Sequence, residues 1–368
     1  MKIVCSKENL IDAINTVQKA VSTKTTNPLL ECILLKVEEN FILTAYDQEI
    51  GIEKTVPAVI FDAGCVALNA KVFGDIVRRL PDADVSIELK ENQTVFIECG
   101  PTNTQLKGFE GHAFPTIEDV VGENVFSVRQ GVIKEMIRQT IFAVGVDDFR
   151  PILTGTLIQS ENGILSFVSI DGMRIALRNW TSKETAADFK VIVPGKTLNE
   201  IGKILLPSEE EVKIVASKNQ IMFQFDGCKI VSRLIEGEFF NYKTSIPTTF
   251  ATTITVDKKF LLASIELAST ITMNEKRYHV KFSIAKEKLT VFAKTDLGEI
   301  KEEIDVSVDG NDLEVGFNPR YFADALKVID DEKILIKFTS TVGPCIISPL
   351  DEDDFMYLIL PLRIKSEA

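Results

Sequence analysis

The sequence has few of the residues on which metal sites and disulfide frameworks depend. Its only histidines, His112 and His279, lie far apart along the chain. This excludes a histidine-rich metal site and disfavours acid–base chemistry by a histidine pair. None of the six cysteines forms a Cys-x-x-Cys pair, and cysteines so widely spread in a long chain are typical of reduced core residues. We therefore expect no bound metal and no cofactor.

Long apolar runs are also absent. No segment approaches the roughly 20 apolar residues of a membrane-spanning helix, and the first residues, Met1 to Glu8, have no apolar signal-peptide core. We therefore expect a soluble, cytoplasmic protein with no membrane partner. The apolar content of 45% suffices for ordinary folded cores, and 368 residues suffice for two or three domains.

Positive charge is in deficit, since the sequence has 41 basic and 54 acidic side chains and a net charge of −13. This balance argues against a protein that coats nucleic acid over its whole surface, because phosphate binding requires local lysine and arginine. It does not exclude a protein whose basic charge is confined to one surface.

The most informative feature that is present is a threefold internal repeat. A short apolar run, a basic residue and then a helical pattern occur around Lys71, Lys196 and Arg320, which are 125 and 124 positions apart. A second series of strand-like runs ends in aspartate. Its members are Asp47, Asp171 and Asp296, at spacings of 124 and 125. Because the two series have nearly the same period, accidental recurrence is a poor explanation. We interpret the aspartates as turn residues, since catalytic residues rarely come in threes.

The elements within each repeat follow one order. A short strand precedes an amphipathic helix, which we predict over 9–20, 131–143 and 259–268. Alternating strands, a second helix and further strands follow. The predicted fold class is α+β, with three similar domains that each pack two helices on antiparallel sheet. We place these domains at 1–121, 125–246 and 250–368, with polar linkers near 115–125 and 245–253.

Charge is divided unevenly between the predicted helices and the rest of the chain. Six windows that cover the helices together carry +7, which leaves −20 for the strands and loops. Solvated helix faces often carry lysine and arginine, so this alone favours no function. A sharper interpretation is that the helices share one surface that faces a polyanion, to which contacts would be independent of sequence.

Two motifs resemble enzyme sites without completing them. Gly195-Lys196-Thr197 follows a strand like the end of a phosphate-binding loop, but Lys190 stands where that loop requires glycine. We read it as a turn that opens a helix, with Gly195 supplying backbone freedom. The acidic run Asp351 to Asp354 is typical of a solvated loop. The sequence therefore favours a protein without catalytic residues.

Four segments give the chain a resemblance to a known family. They are 148–155 (DFRPILTG), 169–176 (SIDGMRIA), 193–196 (VPGK) and 357–364 (YLILPLRI). In these segments and in its threefold repeat the chain resembles the bacterial sliding clamps, the β subunits of DNA polymerase III. The resemblance implies a non-catalytic processivity factor, a head-to-tail homodimer that closes into a ring of six domains around duplex DNA.

The resemblance also implies the partners and the surface that binds them. Short peptides of the replicative polymerase α subunit, the clamp loader δ subunit, other polymerases and repair proteins would enter a hydrophobic pocket between domains two and three. The matching positions are Leu153, Ile170, Gly172, Met173, Arg174, Ile175, Phe240, Ser245, Leu358, Leu360, Pro361, Leu362 and Arg363. Arg174 and Arg363 would bond peptide carbonyls or a carboxylate. Phe240 and Met173 depart from the family's common proline and histidine.

The contacts with double-stranded DNA and with the second subunit are likewise implied by the resemblance. The DNA-binding positions would be Lys24, Lys71, Arg150 and Lys196. At the dimer interface, Thr104 and Leu106 on the predicted strand 102–107 would face a patch that includes Ile271 and Met273. Residues 365–368 extend beyond the family's usual end.

Two other functions stay open beside the clamp. A repeat-built hydrolase would use the acids at 351–354 with a metal, and a scaffold would bind proteins without DNA. The threefold repeat, the basic helices and the terminal motif favour the clamp.

Overall fold

The computed structural model describes residues 1–22, 24–122, 124–146, 149–181, 188–272, 279–351 and 354–363. In these residues six α-helices alternate with groups of antiparallel strands. The helices are α1 (Lys7–Val17), α2 (Ala70–Arg79), α3 (Gln130–Arg138), α4 (Gly195–Ile204), α5 (Lys258–Thr272) and α6 (Pro319–Val328).

The strands follow the threefold order that the sequence predicts. The first repeat contains β1 (Lys2–Ser6), β2 (Cys32–Val37), β3 (Phe41–Tyr46), β4 (Ile50–Val56), β5 (Ala58–Asp62), β6 (Gly64–Asn69), β7 (Asp84–Lys90), β8 (Thr94–Cys99), β9 (Thr102–Lys107) and β10 (Phe109–Glu110). The second contains β11 (Asn124–Arg129), β12 (Gly155–Glu161), β13 (Ile164–Ile170), β14 (Arg174–Thr181), β15 (Phe189–Pro194), β16 (Glu211–Ala216), β17 (Gln220–Phe225) and β18 (Cys228–Arg233). The third contains β19 (Thr252–Asp257), β20 (Val280–Ala285), β21 (Lys288–Thr295), β22 (Gly298–Asp305), β23 (Ser307–Gly310), β24 (Leu313–Phe317), β25 (Lys333–Phe338), β26 (Cys345–Ser348) and β27 (Phe355–Ile359).

The two marker series fall at equivalent places in the three repeats. Lys71, Lys196 and Arg320 are each the second residue of their helices α2, α4 and α6. Each marker aspartate directly follows the strand β3, β13 or β21. The Oδ1 atom of Asp47 accepts hydrogen bonds from the backbone N–H groups of Glu49 and Ile50, which is an Asx turn. The repeat is thereby confirmed, as is the interpretation of Asp47 as a turn residue.

The first helix of each repeat differs in length from the prediction. A 3₁₀ turn over Gln18–Ala20 follows the end of α1, and α3 ends at Arg138, whereas α5 continues to Thr272. After α3, the hydroxyl of Thr140 donates a hydrogen bond of 2.7 Å to the carbonyl of Met136. Such side-chain bonds compete with the backbone ladder, so the apolar periodicity up to Ala143 does not continue as an α-helix.

The chain divides into two compact units. The first comprises Met1–Gly131 with Lys203–Leu234, and the second Val132–Gly202 with Ile235–Ala368. The first unit contains a five-stranded sheet of order β5-β1-β7-β8-β9 and a nine-stranded sheet of order β10-β6-β2-β3-β4-β18-β17-β16-β11. In the longer sheet β4 of the first repeat pairs with β18 of the second, so this unit spans parts of two repeats.

The second unit has the corresponding arrangement. Its nine-stranded sheet has the order β15-β12-β13-β14-β27-β26-β25-β19-β23, and its four-stranded sheet the order β22-β21-β20-β24. Strand β14 of the second repeat pairs with β27 of the third, from Arg174↔Ile359 to Arg178↔Phe355. This pairing positions the end of the chain beside the β13–β14 turn. An aromatic cluster of Phe282, Phe317 and Phe322, with ring centroids 4.9 to 5.5 Å apart, fills the core between α6 and the smaller sheet.

Candidate functional site

The second unit contains an open apolar cavity of about 720 Å³. The chain brings four segments together there: the turn around 149–153, the β13–β14 turn, the loop 238–245 and the end of β27. The lining residues are Phe149, Arg150, Pro151, Ile152, Leu153, Ile170, Gly172, Met173, Arg174, Ile175, Glu238, Phe240, Ser245, Leu358 and Leu360. A cavity of this size, apolar with a few polar groups, suits a short peptide or a small molecule.

The floor and the rim of the cavity differ in exposure. Ile170, Ile175 and Leu358 are buried in an apolar cluster, and the partly buried Leu153 and Leu360 pack on it. Leu153 is held by its backbone, since its N–H donates to the carbonyl of Arg150 and its own carbonyl accepts from Gly145. The rim carries Phe149 and Phe240, which are 95% and 52% exposed. The floor is thus preformed, and the aromatic rim is available to close over an apolar side chain.

The β13–β14 turn needs glycine at position 172. Gly172 has φ +93°, a left-handed conformation that L side chains rarely adopt. A Cβ there would also lie 3.3 Å from Nη1 of Arg150. Asp171 shapes the same turn, because its Oδ1 accepts from the N–H groups of Met173 and Arg174 at 2.9 and 3.1 Å. The turn therefore brings a bare backbone segment and the Arg150 guanidinium together at the pocket wall.

Arg174 is only 9% exposed and its guanidinium is held by several groups. It donates from Nε to Asp171 at 2.8 Å, from Nη1 to Asp324 at 2.7 Å and from Nη2 to the Phe142 carbonyl at 2.7 Å. The guanidinium carbon also lies 4.6 Å from the centroid of the Tyr321 ring. Burial, followed by the charge of Asp171, raises the pKa of Tyr321, so its phenol stays neutral beside the arginine.

These bonds give Arg174 a structural role in addition to the peptide contact that the resemblance implies. An arginine has five N–H donors, and here at least three are committed within the protein. Peptide binding by Arg174 stays a prediction. The contacts assign it to holding the β13–β14 turn against α6.

Of the residues described beyond β27, 360–363, Leu360 lines the pocket. Beyond β27, the N–H of Leu360 donates to the carbonyl of Met173 at 2.9 Å, and the N–H of Leu362 donates to the carbonyl of Gly316 at 2.8 Å. Pro361 between them has no N–H to donate, so regular strand pairing stops there.

Ten of the thirteen predicted pocket residues line the cavity, and Pro361, Leu362 and Arg363 do not. Arg150, which the resemblance assigns to DNA, also lines the pocket wall, and its contact with DNA stays a prediction. Sequence reasoning missed Phe149, Pro151, Ile152 and Glu238. The first three are neighbours of the predicted Leu153 in one turn, and that adjacency is the signal that could have found them.

The other predicted DNA-binding residues lie on the surface. Lys24 is exposed between α1 and β2, and Lys71 and Lys196 are exposed in the first turns of α2 and α4. A cation in the first turn of a helix opposes the helix dipole and costs about 0.3–1 kcal/mol. Recurrence of this arrangement in every repeat therefore favours a function other than helix stability.

The sequence predicts that Gly195, beside Lys196, supplies backbone freedom. The structure gives close packing as the reason for glycine there, because a Cβ would lie 2.8 Å from a Val144 methyl.

The predicted dimer residues lie at an edge and at a helix end. Thr104 and Leu106 are half-buried on β9, which forms one edge of the five-stranded sheet and pairs only with β8 among the described residues. Ile271 lies in the last turn of α5 and packs partly on the core. Met273 lies outside the described residues. In the second unit, β22 likewise forms an edge of its sheet.

The acidic run considered for a hydrolase is only partly described, since Glu352 and Asp353 lie outside the described residues. At its end the carboxylate of Asp354 forms an ion pair with Arg178. Within the described ranges no group of three or more His, Cys, Asp or Glu side chains is arranged to hold a metal ion. In the same ranges, none of the helices combines the length and the apolar content of a membrane span.

Three repeated α+β domains with basic residues at recurrent helix starts and a preformed apolar pocket define a binding protein of the clamp class. The family models of the DNA polymerase III beta subunit match the chain domain by domain. The N-terminal domain matches residues 1–118, the central domain 127–241 and the C-terminal domain 243–363. The chain therefore belongs to the DNA polymerase III beta subunit family, the sliding clamps.

Individual relatives agree over the full length. The beta sliding clamp of Halalkalibacterium halodurans is 32% identical over 99% of this chain and 100% of its own. A putative DNA polymerase III beta subunit from Eubacterium rectale has a crystal structure that matches with a TM-score of 0.95 at 39% identity. The DNA polymerase sliding clamp from Bacillus subtilis matches with a TM-score of 0.96 at 30% identity. Each of the two matches covers 99% of this chain and 100% of the other chain.

Family membership confirms the predicted three-domain clamp fold and the predicted class of function. The chain is a sliding clamp of DNA replication, a non-catalytic processivity factor of the polymerase. The hydrolase alternative is thereby set aside.

Proposed function

We propose that the chain acts in the cytoplasm as a head-to-tail homodimer, a ring of six domains that encircles duplex DNA and tethers polymerases. The domains would span 1–121, 125–246 and 250–368, close to the limits at which the family models match. The edge strands β9 and β22 support this assembly, since an unpaired edge can extend its sheet by pairing with a strand of another chain. Thr104, Leu106, Ile271 and Met273 would contribute side chains at that interface.

The apolar pocket is the observation that carries the tethering function. A buried floor of Ile170, Ile175 and Leu358 with an exposed Phe240 at the rim suits the leucine and phenylalanine anchors of an extended peptide. We assign to it the peptides of the polymerase α subunit, the clamp loader δ subunit and other polymerases and repair proteins. Arg150 lies in the same wall, and in this proposal its guanidinium would bond a peptide carbonyl or carboxylate.

Topological retention on DNA tests the ring. After loading onto nicked circular DNA, the protein should stay bound through gel filtration and should be lost once a restriction enzyme linearises the circle. Contact with phosphates alone predicts the same retention on both forms, because it depends on charge and not on topology. Equal retention would refute the ring, and circles left uncut serve as the control.

Charge reversal tests the DNA-binding residues. We expect each of Lys24→Glu, Lys71→Glu and Lys196→Glu to weaken the association with duplex DNA at every sequence, measured by fluorescence anisotropy. Each lost phosphate contact should make the slope of log K against log salt shallower by about 0.9. Lys218→Glu makes the same charge change at an exposed residue in the β16–β17 turn and should leave the slope unchanged. Equal slopes for all four variants would contradict the assignment.

A further inference from the structure

A second, polar cavity of about 580 Å³ adjoins the apolar pocket in the same unit. Glu238 and Phe240 line both cavities, so the exposed Phe240 ring stands between them. We call this second cavity the polar groove and define it by Glu161, Asp188, Lys190, Glu238, Tyr242 and Lys243. A chain lying in the apolar pocket can continue past Phe240 into the polar groove without leaving the protein surface.

Rigid elements form the two walls of the groove. The last residues of β12 pair with the first residues of β15, as in Gln159↔Lys190 and Ser160↔Phe189. Glu161 ends β12, and Asp188 directly precedes β15. On the other wall Tyr242 is buried, and Nε2 of Gln159 donates to its hydroxyl at 3.1 Å. Burial raises the pKa of Tyr242, which keeps the phenol neutral. The groove is therefore a preformed surface with a neutral, polar base.

The lining residues that the structure describes leave an excess of one negative charge in the groove. Glu161 and Lys243 form an ion pair at 2.9 Å, which neutralises both. The remaining ionised groups are the carboxylates of Asp188 and Glu238 and the ammonium of Lys190. The Oδ1 atom of Asp188 accepts a hydrogen bond from the backbone N–H of Asn162 at 3.2 Å, and its Oδ2 atom takes no part in that bond. A cationic side chain is the complementary occupant.

We propose that the polar groove binds the residues directly next to the apolar anchors of a partner peptide and selects lysine or arginine among them. This inference rests on the proposed peptide-binding function of the apolar pocket and adds a second determinant of specificity to it. An extended peptide advances about 3.3 Å per residue, so a flank of two to four residues spans a groove of this size. Partners with a basic flank would therefore outcompete partners that share only the anchors.

The expected gain is modest because the groove is open to solvent. Exposed ion pairs contribute about 0.2–1 kcal/mol each, so two arginines in a flank should raise the affinity roughly 2- to 30-fold at low salt. The gain should shrink toward physiological and higher salt, where the charges are screened. Binding of the anchors alone should respond much less to salt.

The test uses three kinds of synthetic peptide on the full-length protein. One carries only the leucine and phenylalanine anchors, one adds two arginines and one adds two glutamates. The additions are made at either end in separate peptides, since the groove lies on one side of the pocket. Affinities are measured by anisotropy for the wild type, for Asp188→Lys in the groove and for Glu236→Lys. Glu236 is exposed on the loop that precedes Phe240 and lines neither cavity, so its substitution is a matched charge control.

The inference predicts that arginines at one end strengthen binding to the wild type and to Glu236→Lys. Asp188→Lys should lose that gain and bind the glutamate peptide better, with its affinity for the anchor-only peptide unchanged. Equal binding of the arginine and glutamate peptides at both ends would overturn the inference and leave the pocket function intact. If the added arginines also strengthen binding to Asp188→Lys, the inference is likewise overturned and the pocket function stays intact. Failure of the anchor-only peptide to bind the wild type would overturn both the inference and the pocket function.

Discussion

Replacing Leu360 with alanine should weaken the binding of an anchor-only leucine–phenylalanine peptide by about 50-fold. Leu360 lines the apolar pocket, and its backbone N–H is fixed to Met173, so the truncated position cannot be refilled by a shift of the chain. The substitution removes three carbons of the pocket wall. At about 0.8 kcal/mol for each buried carbon, the peptide would lose about 2.4 kcal/mol, which corresponds to the stated change.

Leu362→Ala is the matched control for this prediction. Leu362 is two residues further along the same segment, carries the same side chain and is fixed by a comparable bond to Gly316, but it does not line the cavity. Its substitution should change the affinity less than twofold. Titration calorimetry or anisotropy with one peptide measures both variants, and thermal melting verifies that both are folded. Equal losses for the two variants, or no loss for Leu360→Ala, would contradict the pocket as built from these residues.

The contrast between Leu360 and Leu362 shows where the sequence stops predicting the site. Both leucines flank Pro361 in one apolar run, and nothing in that pattern distinguishes them. Residues i and i+2 of a regular strand share a face, so alternation does not separate them either. They differ because Pro361 interrupts the strand pairing and their backbone N–H groups bond different neighbours. Here the N–H groups of Leu360 and Leu362 reach Met173 and Gly316, which are more than 140 positions apart along the chain. Only the folded sheet determines which of the two leucines borders the pocket.

The threefold fold was more accessible because its evidence is local and recurs. Apolar periodicity predicts a helix from neighbouring residues, and a spacing of about 124 residues repeats that evidence three times. The compact units were not accessible in this way. They arise from pairing of β4 with β18 and of β14 with β27, and each pair joins strands of different repeats. The pocket position of Arg150 was inaccessible for a similar reason, because its place beside Gly172 depends on the turn and on no pattern around residue 150.

Replacing Arg174 with alanine should lower the stability of the second unit by about 3–5 kcal/mol. The substitution leaves Asp171 and Asp324, whose side chains are 16% and 29% exposed, without the cation that now pairs them. Removing one partner of a largely buried ion pair costs about this much, because the remaining charge is no longer compensated. For a unit of this size the loss corresponds to roughly 6–20 °C in the melting temperature, measured by calorimetry.

Arg129→Ala makes the same substitution at an ion pair that is open to solvent. Its partner Glu209 is 84% exposed, so the melting temperature should change by about 4 °C at most. The double variant Arg174→Leu with Asp324→Leu should recover part of the stability lost in Arg174→Leu, because one uncompensated charge is removed with its partner. Equal melting temperatures for Arg174→Ala and Arg129→Ala would contradict the structural role of Arg174. The anchor-only peptide should also bind Arg174→Ala more weakly than it binds Arg129→Ala, since the network around Asp171 holds the turn that presents Gly172 and Met173 to the pocket.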